Sequence, residues 1–316
     1  MVPNVCVFAP SPLLTVTIEP HPDDVDIHFH PGGQGFWIAR MIAGLGVDVA
    51  LCASFGGEVG SVTRGLLADA AITVRGIETT GSNGAYVHDR RSGDRVAVAE
   101  MPPDPLTRHE VDELYGITLG EGLDAGVCVL GGPADPDVIS PEVYRRLAED
   151  LIRNGAVVVA DLSGDPLACV LEGRISVLKV SDEELEAEGR ADPADLDSVV
   201  AAIQALAARG VENVVVSRAE RPIVALLDGE LVTVRAPRLN VVDHRGAGDS
   251  LTAGIAAGVA RGLQLRDAVR LGAAAGAVNV ARHGLATGTR EEIERMSTRV
   301  ECAPFDATLA AQSDPK

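Results

Sequence analysis

Seven short apolar runs, separated by segments of helical spacing, constrain this chain's fold more than any other feature. They read "VCVFA", "DVALCASF", "AITVRGIE", "AGVCVLGG", "AVVVADLSG", "ISVLKV" and "VENVVVS". Strands with this continuously apolar character are the kind covered on both faces of a parallel sheet. Helical patterns fill 33–45, 60–70, 141–154, 165–173, 194–209, 249–262 and 265–283. The alternation predicts right-handed βαβ units and a doubly wound sheet, with ligands beyond the carboxyl ends of its strands. At 316 residues the chain can form one large α/β domain or two smaller ones. Its core must be built from Ala, Val, Leu and Ile, because only 3% of the residues are aromatic.

Two stretches break the rhythm. In "TVTIEPHPDDVDIHFHPGG", Val25, Ile27 and Phe29 alternate with Asp24, Asp26, His28 and His30. "NGAYVHDRRSGDRVAVAEM" reads as a hairpin turning at Arg91, Ser92, Gly93 and Asp94. Two half-exposed excursions from an α/β core, each with one apolar face, are expected to pair into a small sheet that covers a site. Residues 302–316 read as a frayed tail.

The formal charge of −19 excludes a nucleic-acid footprint, which needs a basic face. Cys6, Cys52, Cys128, Cys169 and Cys302 are scattered, without pairing or metal-ligand spacing, and read as reduced structural thiols. His21, His28 and His30, near Asp23, Asp24 and Asp26, are accounted for as alternating strand positions without a metal. No leader pattern and no apolar run of about 18 residues is present, so a cytoplasmic protein without a membrane partner is expected.

Three segments carry chemistry. In "HRGAGD" (244–249) a turn of Gly246, Ala247 and Gly248 feeds a helix whose Leu251, Ile255 and Val259 form one apolar stripe. Free N–H groups and the positive end of the helix dipole make such a turn an anion site, and Asp249 beside it is placed as a general base. A tight turn with an aspartate helix cap uses the same residues, and both readings stand at this point. In "HPGGQGFWIARMIAGLG", Gly32, Gly33 and Gly35 open a helix and admit a ligand close to the backbone, or serve packing alone. The third segment is "VLKVSDEEL". The chain carries 27 lysines and arginines, yet its only lysines are Lys179 and the terminal Lys316. An internal lysine at a strand end, just before Asp182, Glu183 and Glu184, suits a phosphate, with a carboxylate for the accompanying magnesium.

Together these residues resemble the PfkB (ribokinase-like) family of carbohydrate kinases, in particular its 1-phosphofructokinase and tagatose-6-phosphate kinase branch. The resemblance spans nearly the whole chain in the family's order: "HPGGQG", "SFGGEVG", "LGGPADPDV", "LKVSDEEL", "VVVSRAERP" and "HRGAGDS". It implies an α/β fold, a ribokinase-like doubly wound, mainly parallel sheet with helices on both faces and a small β-sheet lid. The core would comprise 1–14, 31–80 and 102–316, and the lid 15–30 and 81–101. The implied activity is transfer of the γ-phosphate of ATP, with Mg2+, to a sugar hydroxyl. Asp249 matches the catalytic base, and Gly246, Ala247 and Gly248 the anion hole. Lys179, Ser181, Glu184, Ser217, Ala219 and Gly248 match the ATP side, Glu184 through a magnesium-bound water. Ser11, Thr15, Gly32, Gly33, Gln34, Trp37 and Asp249 match the acceptor side, with Trp37 suited to stacking on a sugar ring. Asp243 matches a position that supports a monovalent cation, K+, in some members.

The chain departs from that pattern at the acceptor and the nucleotide alike. "SPLLT" (11–15) stands for "NPALD", so Thr15 replaces an acid, and Gln34 and Trp37 replace the lysine and asparagine of "GGKGxN". "GSNGAY" lacks the usual lid arginine, although Arg90, Arg91 and Arg95 lie on the hairpin. Ser181 replaces an asparagine, "SRAERP" (217–222) replaces "SLGxxG", and His244 and Arg245 precede the anion turn. A sugar phosphate needs cations, so the acceptor is left open between a sugar and a sugar phosphate. A catalytically silent nucleotide- or sugar-binding protein and a nucleoside kinase are the alternatives. The apolar lid faces would suit a homodimer.

Overall fold

The computed structural model describes residues 4–22, 24–68, 70–133 and 135–307. All seven apolar runs become strands of one ten-stranded sheet: β1 (Val5–Ala9), β4 (Val49–Gly56), β5 (Thr73–Thr79), β8 (Val127–Gly131), β9 (Val157–Asp161), β10 (Ile175–Ser181) and β11 (Val211–Arg218). These seven are parallel to one another, in the order β11-β10-β9-β8-β1-β4-β5. The sheet continues beyond β11 with antiparallel β12 (Arg221–Leu227), β13 (Glu230–Arg235) and β14 (Glu301–Pro304). Cys302 is therefore paired in an edge strand, opposite Val234, rather than frayed. The remainder of the expected tail, from residue 308, lies outside the described residues.

Period-two alternation sorts the strand side chains onto two cores. Val5, Val7 and Ala9 of β1 pack on one side, against α1 (Gln34–Gly44), α8 (Ala247–Ala260) and α9 (Leu265–Val280). Cys6 and Phe8 pack on the other, against α3 (Arg108–Ala125), α4 (Pro141–Arg153), α5 (Gly164–Val170) and α7 (Leu196–Ala208). Burial on both faces is what made these runs continuously apolar. Three further helices complete the described chain: α2 (Gly57–Leu67), α6 (Asp182–Ala187) and α10 (Arg290–Ser297).

The alanine and glycine of α8 have a packing cause. A Cβ on Gly254 would lie 2.4 Å from the Gly272 Cα of α9, and one on Gly272 would lie 2.5 Å from the Leu251 carbonyl oxygen. Backbone meets backbone at this crossing, so no larger side chain fits. The contact fixes α8, and with it the turn that begins it.

Both excursions belong to a second sheet, β3-β2-β6-β7: β2 (Leu13–Pro20), β3 (Val25–Gly32), β6 (Ala85–Asp89) and β7 (Val96–Met101). Register places Thr15 beside His30 and Tyr86, and Thr17 beside His28 and His88, on one face. Ile27, Phe29 and Val96 lie on the opposite face, about half exposed. The polar face thus turns inward and the apolar face outward.

Candidate active site

The site lies where the large sheet changes direction, between β1 and β8, beyond the carboxyl ends of the parallel strands. Gly246, at φ 71°, caps α8 without a side-chain bond, and Asp249 is the third residue of that helix. A residue with a Cβ would pay about 1–2 kcal/mol for that left-handed conformation. Asp249 is therefore not the helix cap. The amides of the first turn have no acceptor within the helix, and the carboxylate faces across to Gln34.

Gln34 ties two motifs together. Its Oε1 accepts from the Gly132 N–H at 2.6 Å, and its side chain hydrogen-bonds Asp249. Ser11, Gly32, Gly33 and Gln34 line one small hollow with Ala9, Pro10 and Gly132. Thr15 joins them from the second sheet, where a Cβ on Gly32 would lie 2.4 Å from its Oγ1. Trp37 does not line that hollow; its ring packs on Phe36 at 4.7 Å, with the Arg40 guanidinium 5.7 Å from its centroid.

Lys179 is buried at the end of β10. Its Nζ lies 3.0 Å from Asp161 Oδ1, and Thr252 Oγ1 of α8 donates to Asp161 Oδ2 at 2.6 Å. A Cβ on Gly248 would lie 2.8 Å from Nζ, so the ammonium sits directly against the turn of Gly246, Ala247 and Gly248. Burial opposes its charge, but Asp161, Glu184 and Asp249 outweigh that and hold its pKa above the ordinary lysine value. Burial, reinforced by Asp161, pushes Asp249 up to about 7, against the pull of Lys179 and Gln34. Carboxylates thus outnumber the one ammonium, an arrangement that suits a divalent cation arriving with nucleotide phosphates. Among the described residues no cluster of three acids, histidines or cysteines could hold a metal unaided.

At the positions expected to face a nucleotide, Ser181 and Glu184 form a capping box for α6: Glu184 Oε2 accepts from the Ser181 N–H at 2.7 Å and from its hydroxyl at 2.8 Å. Ser217, the residue before the end of β11, lies alongside Ser181, its partner in register. Ala219 holds φ 48°, a conformation suited to glycine, in the turn that follows. Arg221 braces this turn, donating to buried Asp182 at 2.6 Å, with Arg218 Nε 3.8 Å from the same oxygen.

Cations gather around His88 of the second sheet. The Arg95 guanidinium lies 4.5 Å from the Tyr86 ring centroid, and burial together with Arg95, Arg245 and Arg90 pushes His88 down to about 4. Arg91, on the same exposed hairpin as Arg95, folds back onto Asp89.

Sequence reasoning missed Asp161 and Asn83. Asn83 is buried, donates to the Pro12 and Ser54 carbonyls at 3.0 Å and accepts from Gly56 N–H at 2.8 Å. It fastens the second sheet to the first, and the Asn-Gly pair at 83–84 was its only sequence signal.

The model of the pfkB family carbohydrate kinases matches residues 13–292. The ATP-dependent 6-phosphofructokinase isozyme 2 of Mycobacterium tuberculosis is 29% identical over 270 residues, 84% of this chain and 79% of its own. The 1-phosphofructokinase of Vibrio cholerae is 23% identical over 282 residues, 89% of each. Among solved structures, Escherichia coli phosphofructokinase-2 in complex with potassium superposes with a TM-score of 0.83 at 25% identity, over 95% of this chain and 99% of the other. Arabidopsis thaliana ribokinase complexed with ribose and ATP gives 0.73 at 20% identity, over 94% and 99%.

Proposed function

The chain belongs to the pfkB family of carbohydrate kinases, and on that footing we propose that it moves the γ-phosphate of ATP to a hydroxyl of a phosphorylated sugar. Its relatives carry the names ATP-dependent 6-phosphofructokinase and 1-phosphofructokinase. The finer reading, a sugar phosphate, rests on one observation: the Arg95 guanidinium lies over Tyr86, on the sheet face that Thr15 and His88 share, and Arg90 is near enough to act on His88. Those guanidiniums supply the cations that Gln34 and the "GSNGAY" segment do not.

The roles follow from position. The acceptor lies against Ser11, Gly32 and Gly33, beneath Thr15, with its phosphate toward Arg90 and Arg95. The Asp249 carboxylate takes the hydroxyl proton as that oxygen bonds the γ-phosphorus and the bond to ADP breaks. Gln34 aims the carboxylate, while the amides of Gly246, Ala247 and Gly248 and the Lys179 ammonium meet charge on the moving group. Ser181, Ser217 and Ala219 hold the nucleotide. Magnesium, held from Glu184 through water, would neutralise phosphate charge.

The second sheet, strands β2, β3, β6 and β7, serves as the lid over the large sheet and its helices. Its outward Ile27, Phe29 and Val96 suit pairing with the lid of a second copy. A catalytically silent binder is not favoured, because Ala219 keeps a glycine-like backbone in the altered nucleotide turn.

ADP release with Mg-ATP across free sugars, sugar phosphates, polyols and nucleosides tests the reading. Turnover is expected with a sugar phosphate, and turnover confined to unphosphorylated acceptors would overturn it. Arg95→Ala is expected to raise KM for the sugar phosphate about 10–100-fold with kcat little changed, the loss of a charge-assisted contact. An unchanged KM would remove Arg95 from the anion's cradle.

A further inference from the structure

The loop that feeds the anion turn has its own bracing. Val242 and Asp243 N–H groups donate to the Val280 carbonyl at 2.7 and 3.2 Å. Arg245 then folds back on Asp243: its backbone N–H reaches Oδ1 at 3.1 Å, its Nε the same oxygen at 3.0 Å, and its Nη2 the other oxygen. Arg90 Nη2 stands 4.0 Å from Oδ2. The Arg245 carbonyl accepts from Asn279 Nδ2 at 2.6 Å, while Asn279 Oδ1 accepts from the Ala286 N–H at 2.8 Å. Asn279 is buried, so one amide joins the 245 and 286 loops behind Gly246.

The resemblance places a monovalent cation at Asp243, and a solved relative was captured with potassium. This chain's residues do not fit one there. A cation there would have to share oxygens already drawn toward N–H donors, both Asp243 carboxylate oxygens by Arg245 and the Arg245 carbonyl oxygen by Asn279. A guanidinium within hydrogen-bond distance of the carboxylate would also repel a second positive charge.

We infer that Arg245 is itself the cation of this loop, so that the enzyme needs no monovalent ion. A bidentate guanidinium neutralises Asp243 and fixes direction as well as charge, which a compact ammonium does less well. Arg245 is a positioning residue. Through its own backbone it holds Gly246, and hence the amides of 246–248, in the arrangement the moving phosphoryl group meets. The inference rests on the kinase reading for its catalytic consequence, but the bracing itself can be measured without turnover.

The test compares potassium chloride with tetramethylammonium chloride at constant ionic strength, in wild type and Arg245→Met, reading melting temperature without acceptor as well as kcat. Wild type is expected to show the same melting temperature and a kcat within about twofold in both salts. Arg245→Met is expected to lose about 10–100-fold in kcat, keep its KM for the acceptor, and recover both kcat and melting temperature saturably with potassium. A saturable potassium response in wild type by either readout would overturn the inference. So would an Arg245→Met protein that responds to potassium in neither. If Arg245→Met does not fold, Arg245→Lys replaces it, keeping a charge without the fork; it should retain partial, potassium-independent activity, and full loss would count against the inference. Failure of the kinase reading, with no ADP release on any acceptor, leaves the melting-temperature arm decisive.

Discussion

Asp249→Asn is expected to lower kcat by about 10²–10⁴-fold while ATP still protects the protein against thermal unfolding. The substitution keeps shape and removes only the capacity to take a proton. The wild-type carboxylate titrates near 7 because it is desolvated and faces Asp161, which puts the base close to working pH. kcat/KM should therefore rise with pH through about 7 in wild type, and the residual activity of the variant should lack that limb. Stability should move the other way. A carboxylate ordinarily at 3.8 but folded at about 7 takes up a proton on folding between those values. Folding is then penalised progressively as pH rises from about 4 to 7, and fully above it. Asp249→Asn carries no such penalty, so it should melt a few degrees higher than wild type at pH 8, with the difference shrinking toward pH 4. Equal turnover in the two proteins on a proven acceptor would remove Asp249 from the chemistry.

What the sequence made legible was local. The seven apolar runs and the helix beginning at "GAGD" could be placed because strand burial and a glycine-led helix start write themselves into neighbouring residues. The hairpin of β12 and β13 was missed although Asp228-Gly229, both at positive φ, is a tight-turn signature between apolar runs. Helix α3 was missed although Thr107 and Glu110 form its capping box. Its face is interrupted by Gly116, Gly120 and Gly122, which blurs the helical stripe. Other features depend on register between strands, which no single segment records. Asp161 sits opposite Lys179 across β9 and β10, yet in sequence it is only the polar end of an apolar run. Gln34 looked like a lost lysine, whereas in the fold its amide spans Gly132 and Asp249. Arg245 looked like drift beside a motif, and only the folded loop shows it closing on Asp243.

The Lys179–Asp161 pair carries the other large effect. Lys179→Met should destabilise the fold by about 3–5 kcal/mol, because it strands a buried carboxylate whose remaining side-chain partner among the described residues is Thr252. Chemical denaturation would read that loss, and adding Asp161→Asn to the same chain should restore much of it, since neither buried charge then remains. The two single changes should also split the pH profile. Lys179 pulls the Asp249 pKa down and Asp161 pushes it up. The acid limb of kcat/KM should therefore move above 7 in Lys179→Met and below 7 in Asp161→Asn. In the double variant, recovered stability without recovered kcat would show that the ammonium acts on the moving phosphoryl group as well as on the fold. Recovery of both would reduce Lys179 to a structural counter-ion, and leave the anion turn and Asp249 to carry the transfer.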